Sequence, residues 1–137
     1  MFLRITTMET VMQQLALAVA AIVALAIIVI GALYVSRPRA TTRSFGLPLP
    51  EDGPNIAWWL RLKGVRDIAA GLTLLAMMVW GGPHIVGIIL LVEALIPIGD
   101  MLVILVAKGS ARSAFGIHGL TALLMILAAV FLTMAAT

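Results

Sequence analysis

The sequence predicts an all-α protein, an antiparallel bundle of four transmembrane helices, and three observations support this prediction. Hydrophobic residues make up 63% of the 137-residue chain and charged residues only 11%, whereas ordinary soluble domains are about 45–50% apolar and about 25% charged. Four apolar runs are each long enough to cross a bilayer, which takes about 20 residues in helical form. The connections between the last three runs are short, which favours antiparallel neighbours.

The four predicted spans cover residues 11–35, 60–80, 85–107 and 114–135, within one predicted domain of residues 1–137. The first run is much longer than the apolar core of about 7–15 residues in a secretory signal, and Glu9 precedes it. We therefore expect a retained helix there. Between the second and third spans, Gly81, Gly82 and Pro83 predict a tight reversal.

The long connection, residues 36–57, is rich in proline and glycine, which exclude a long helix. Within the third span, Pro97 is expected to free a backbone carbonyl near Glu93. Small residues on the second and fourth spans are expected to let helices approach closely. They are Gly64, Ala70, Gly71, Gly116 and Gly119.

Basic residues predict the orientation of the chain. They concentrate in the connections 36–57 and 108–113 and at the start of the second span, so the positive-inside bias predicts cytoplasmic connections and both termini on the non-cytoplasmic side. The aromatic residues Tyr34, Trp58 and Trp59 are expected to form an interfacial belt on the cytoplasmic side, with Trp80 as its outer counterpart. Arg61 and Lys63 are expected to extend towards lipid phosphates.

The composition also excludes several kinds of site. The chain has no cysteine and two histidines, so disulfides, thiolate metal sites and cysteine nucleophiles are excluded, and a histidine-based metal site is not supported. Glycine-rich phosphate loops and serine-nucleophile motifs are absent from the sequence. We expect neither a cofactor nor a metal. The net charge of +3 does not indicate nucleic acid as a partner, because the basic residues lie beside the spans.

Ionisable residues inside the predicted spans are the best candidates for a functional site, because charges at mid-bilayer cost about 2.5–3.5 kcal/mol on insertion scales. A rise of about 1.5 Å per residue places Asp67, Asp100 and His118 about 7–10 Å from the cytoplasmic side, with Glu93 about 10 Å deeper than Asp100. These groups are expected to face one funnel that opens to the cytoplasm. An isolated carboxyl group at the depth of Glu93 is expected to be neutral, because desolvation disfavours its charged form. Arg66 and Asp100 are equally consistent with a structural ion pair.

Several segments resemble a known family. They are the stretches 45–48 (Phe-Gly-Leu-Pro), 63–72 (Lys-Gly-Val-Arg-Asp-Ile-Ala-Ala-Gly-Leu), 94–100 (Ala-Leu-Ile-Pro-Ile-Gly-Asp) and 118–119 (His-Gly). In this order the sequence resembles the small four-helix membrane proteins of domain of unknown function 4267. The resemblance implies a four-span fold with Arg66, Asp67, Asp100 and His118 at characteristic polar positions, and it implies no activity.

The leading functional hypothesis is a membrane enzyme, an isomerase or cyclase that moves protons on a hydrophobic small molecule. Glu93 would be the acid, Asp100 or Asp67 the base or its partner, and His118 a proton shuttle. Arg66 would keep an aspartate ionised. The alternatives are a proton-coupled exporter, acting as a homo-oligomer, and a non-catalytic membrane subunit or lipid-binding scaffold. The expected partners in all three cases are the bilayer and a hydrophobic small molecule or lipid.

Overall fold

The computed structural model describes the backbone of residues 2–51 and 53–134, with side chains described from residue 8 onwards. Within these ranges the chain is helical and contains no β-strand. The helices are α1 (Phe2–Ser36), α2 (Pro38–Thr42), α3 (Ile56–Trp80), α4 (Gly82–Glu93), α5 (Leu95–Val106), α6 (Ala111–Ser113) and α7 (Leu120–Met134), with a π-helical turn (Ala114–Gly119) between α6 and α7. The predicted all-α bundle is confirmed. The predicted end of the fourth span, residue 135, lies outside the described residues.

Three helical segments are long and apolar enough to cross a membrane, namely Met8–Ser36, Gly82–Val106 and Ala111–Met134. The chain is therefore an integral membrane protein. The remaining long helix, α3, has 25 residues, but its first half carries Arg61, Lys63, Arg66 and Asp67. Its crossing of the bilayer remains a prediction.

The second of these segments, Gly82–Val106, is interrupted at Ala94, between α4 and α5. Pro97 has no backbone N–H, so the carbonyl of Glu93 lacks its helical donor, as the sequence predicted. The neighbouring bonds survive: Ala94 N–H donates to the Leu90 carbonyl at 2.9 Å, and Ile98 N–H donates to the Ala94 carbonyl at 3.2 Å. Helices α4 and α5 therefore continue as one helical segment despite the break.

Helices α1 and α3 pack with their backbones almost in contact. A Cβ atom added to Gly31 would lie 2.6 Å from the carbonyl oxygen of Gly64, and one added to Gly64 would lie 2.5 Å from that of Gly31. Further along, Gly71 faces Ala24 and Ile28, so the two helices are antiparallel. The prediction of close approach at Gly64 and Gly71 is confirmed.

Helices α4 and α7 form the second close pair. Gly87 packs against Ala129, Leu132 and Thr133, and Gly119 lies against the sulfur atom of Met101. The expectation for Gly116 was wrong, because nothing lies within 4 Å of a Cβ added there. The core between the two pairs is aliphatic and includes Leu74, Val86, Leu90 and Leu132, all fully buried.

The two basic connections meet at the same end of the bundle. The connection after α1 begins with the short helix α2 and continues without a long helix, as predicted. Its Gly46 carbonyl accepts a hydrogen bond from Ser110 N–H at 2.8 Å, and Gly46 has a φ of +105°, which glycine adopts without strain. A side chain on Gly46 would also collide with Ser113. The connection is thereby attached to the start of α6, directly over the end of α5.

Candidate functional site

Polar side chains from separate helices gather just inside this end of the bundle. We call them the loop-end cluster, and its members are Tyr34, Lys63, Asp67, Asp100 and His118. They come from α1, α3, α5 and the π-helical turn. The cluster brings together three of the predicted site residues, and it adds Tyr34 and Lys63, for which the sequence indicated other roles.

Asp100 and His118 form a carboxylate–imidazole pair. Nδ1 of His118 lies 3.5 Å from Oδ2 of Asp100, and the two side chains are 11% and 28% exposed, respectively. His118 belongs to the π-helical turn Ala114–Gly119; single π-helical turns are rare and often occur at functional sites. The predicted common depth of Asp100 and His118 agrees with this contact.

The connection after α1 completes the surroundings of His118. Nε2 of His118 lies 3.2 Å from the carbonyl oxygen of Phe45, and the Phe45 ring packs edge-on against the imidazole with centroids 4.8 Å apart. Because a carbonyl oxygen can only accept, Nε2 must carry a hydrogen in this contact. Nδ1 of the same ring then faces the Asp100 carboxyl group. An imidazole beside a carboxyl group is an arrangement that can take up and release a proton.

Asp67 is buried and is held by Lys63, four residues earlier on α3. The Lys63 ammonium lies 2.6 Å from Oδ2 of Asp67, and the side chains are 32% and 9% exposed, respectively. The same ammonium lies 4.8 Å from the centre of the Tyr34 ring and 5.3 Å from that of Phe45, within the range of cation–π attraction. The expectation that Lys63 extends towards lipid was wrong, because these contacts turn its ammonium group into the protein.

Tyr34 lies within the cluster and is only 2% exposed. Its hydroxyl group interacts electrostatically with Asp67 and Asp100 and with the side chain of Thr42 on α2. Its predicted place in a lipid-facing aromatic belt was wrong. Trp58, Trp59 and Trp80, by contrast, are 65%, 68% and 79% exposed, which is consistent with the belt predicted for them.

Arg61 also contacts the protein. Its Nε donates to the carbonyl of Val35 at 3.2 Å, and its guanidinium lies 4.8 Å from the centre of the Trp58 ring. The side chain therefore connects the start of α3 to the end of α1. That Arg61 extends towards lipid phosphates stays a prediction.

Arg66 does not take the place expected from the sequence. Its side chain is exposed, and neither of the two ion pairs found in the described part of the chain includes it. The hypothetical Arg66–Asp100 pair is therefore not formed. The basic partner near Asp100 is Lys63, which acts on it electrostatically together with His118.

Glu93 stands apart from the cluster. Its side chain is half-buried, and no hydrogen bond or ion pair among the residues described links it to the five cluster members. It precedes Asp100 by seven residues, which is about 10 Å along the segment formed by α4 and α5. The expectation that Glu93 and the cluster face one shared funnel stays a prediction.

The donor atoms of the cluster do not make a metal site. Over the ranges 8–51 and 53–134, no group of three or more His, Cys, Asp or Glu side chains is placed to hold a metal ion. The chemistry that the cluster itself offers is proton transfer at Asp100 and His118, beside a second carboxylate held by an ammonium group.

The comparisons with known proteins identify a family and leave the activity open. No curated protein matches the chain, and no solved structure matches it. The family model described as "Domain of unknown function (DUF4267)" matches residues 24–132, a stretch that contains every member of the loop-end cluster. The chain therefore belongs to the DUF4267 family.

Proposed function

We propose that this protein is a membrane enzyme that transfers protons on a hydrophobic small molecule, as an isomerase or cyclase does. The observation that carries the proposal is the Asp100–His118 pair, a carboxyl group 3.5 Å from an imidazole nitrogen at one end of an apolar bundle. General acid–base catalysis needs a group that can give up and regain a proton, and an imidazole oriented by a carboxylate is well suited to this.

The proton balance of a polyene cyclisation is simple. An acid forms a C–H bond at one end of the polyene, a new C–C bond closes the ring, and a base breaks a C–H bond at the far end of the reacting segment. We assign the last step to the Asp100–His118 pair and the first to Glu93, about 10 Å deeper along the same helical segment, a separation that an elongated substrate can span. Solvent then returns the proton from the pair to the acid, so the substrate leaves with its proton count unchanged and one hydrogen exchanged.

Asp67 and Tyr34 are assigned supporting roles. Lys63 compensates the Asp67 carboxylate and acts electrostatically on Asp100, so it contributes the positive charge that the sequence analysis attributed to Arg66. Tyr34 lies between α2 and the two aspartates and closes the cluster on the side of α1. These residues are positioning residues in the proposal.

Hydrogen exchange from solvent provides the test. Purified protein in mild detergent is incubated with a lipid extract in D₂O, and small hydrophobic molecules are analysed by mass spectrometry. We expect deuterium in one molecular species with the wild-type protein, and a loss of about 100-fold or more with His118→Gln or Asp100→Asn, since acid–base catalysis contributes about 10²–10⁴-fold. Arg66→Gln is the matched control and should label normally.

Two results would decide against the proposal. Labelling that survives both His118→Gln and Asp100→Asn would exclude the pair, and the absence of any labelled species above a protein-free control would favour a non-catalytic subunit. Glu93→Gln tests the assignment of the acid separately. Full labelling with this variant would remove Glu93 from the mechanism and leave the pair in place.

We also propose that the basic connections are cytoplasmic and both termini lie on the other side. Because the chain has no cysteine, a single introduced thiol reports its own side of the membrane. Ala111→Cys and His84→Cys replace exposed residues at opposite ends of the bundle. A membrane-impermeant maleimide should label the first in inside-out vesicles and the second in right-side-out vesicles or cells. The reverse pattern would overturn the orientation.

A further inference from the structure

A cleft next to the loop-end cluster has the chemistry of an anion site. Its volume is about 190 Å³, far above the roughly 10–15 Å³ that one water molecule needs, so a phosphate group fits within it. Two guanidinium groups, one hydroxyl and several aliphatic side chains line it: Arg39, Thr42, Arg43, Leu49, Ile56 and Leu60.

The charge of the cleft favours an anion. Arg39 Nη2 donates to the carbonyl of Gly53 at 3.4 Å, which connects this guanidinium to the loop, and Arg43 is exposed. Neither takes part in the two ion pairs found among the described residues. Between residues 37 and 61 the chain has four arginines and two acidic residues, so the surroundings are positive as well.

The position of the cleft indicates that the anion belongs to a lipid. Helix α2 directly follows the membrane-spanning segment that ends at Ser36, and Trp58 and Trp59 project from the first turn of α3. Exposed tryptophans at helix ends are typical of the level of lipid headgroups. Leu49, which is 63% exposed, offers an apolar contact beside the arginines.

We propose that this cleft binds the phosphate of an anionic phospholipid, with Arg39 and Arg43 as its ligands. Guanidinium groups bind phosphate oxygens in a forked, bidentate geometry that an ammonium group cannot reproduce. Thr42 lines the cleft, and its side chain also acts on Tyr34, so the cleft lies next to the loop-end cluster. This inference goes beyond the proposed function and does not depend on it.

The test compares lipid retention by native mass spectrometry of the full chain, titrated with phosphatidylglycerol or phosphatidylcholine. Wild-type protein should prefer phosphatidylglycerol by about tenfold or more, and Arg39→Gln/Arg43→Gln should abolish the preference. The matched control is Lys108→Gln/Arg112→Gln, which removes the same charge from exposed residues at the same end of the bundle. It should keep the preference within about twofold.

Three results would overturn the proposal. Equal losses with the two double variants would mean a diffuse attraction of opposite charges, and an unchanged preference after Arg39→Gln/Arg43→Gln would exclude the cleft. Competition by millimolar inorganic phosphate that removes all bound lipid would indicate a site for free phosphate. Thermal unfolding in phosphatidylcholine nanodiscs checks that the double variant folds. If the double variant does not fold, the single variant Arg43→Glu at an exposed position takes its place in the test, and we expect it to lose the preference as well.

Discussion

Replacing Lys63 with methionine is expected to destabilise the protein by about 3 kcal/mol. The substitution keeps a long flexible side chain but leaves the Asp67 carboxylate, whose side chain is only 9% exposed, without its ammonium partner. Removing one member of a buried ion pair costs about 3–5 kcal/mol, because the remaining charge stays desolvated and uncompensated. The lower end applies because Lys63 is itself 32% exposed. The free energy of unfolding in mixed detergent micelles measures the loss.

Arg66→Met on the same helix is the matched control for this prediction. Arg66 is exposed and lies three residues after Lys63, so its replacement should change stability by less than about 0.5 kcal/mol. The double variant Lys63→Met/Asp67→Leu should recover most of the loss, because no buried charge remains. Equal losses for Lys63→Met and Arg66→Met would contradict the role assigned to Lys63.

Replacing Gly64 with alanine is expected to destabilise the protein by about 1–3 kcal/mol, the usual cost of overpacking. The added Cβ would lie 2.5 Å from the Gly31 carbonyl oxygen, 2.9 Å from Cβ of Tyr34 and 3.0 Å from Cγ2 of Val35. The first of these is backbone and cannot rotate away, so α1 and α3 must separate. The separation also displaces Tyr34 from the loop-end cluster.

Gly99→Ala on α5 adds the same methyl group where nothing lies within 4 Å. Alanine is the better helix former by about 0.5–1 kcal/mol, so this variant should be slightly more stable than the wild type. The two substitutions should therefore change the unfolding free energy in opposite directions. Unchanged or increased stability with Gly64→Ala would contradict the close packing of α1 and α3.

The depths of the site residues could be predicted from the sequence because helical rise is constant. Counting residues from the span ends placed Asp100 and His118 at one level, and the structure brings them into contact. The spacing of Lys63 and Asp67 at i and i+4, which places two side chains on one helix face, was also visible in the sequence. The pair was missed because basic residues at a span end usually extend to lipid phosphates.

The rotation of each helix about its own axis could not be predicted in the same way. Arg66 and Asp67 are neighbours in sequence, but about 100° separates successive residues around a helix. One of them is therefore exposed while the other is buried. Tyr34 was assigned to an interfacial belt for the same reason, since its position along α1 does not tell which way its side chain points.

The amino-acid sequence alone determined that this chain is an all-α membrane protein of a recognisable family, with ionisable groups inside its apolar helices. Those properties depend on composition, on the length of apolar runs and on helical rise, all of which are local. Only the tertiary structure decided that Lys63 and not Arg66 holds the buried aspartate, that Tyr34 joins the cluster and that Glu93 stays outside it. These outcomes depend on which face each helix turns towards its neighbours, and that is set by backbone contacts such as Gly31 against Gly64.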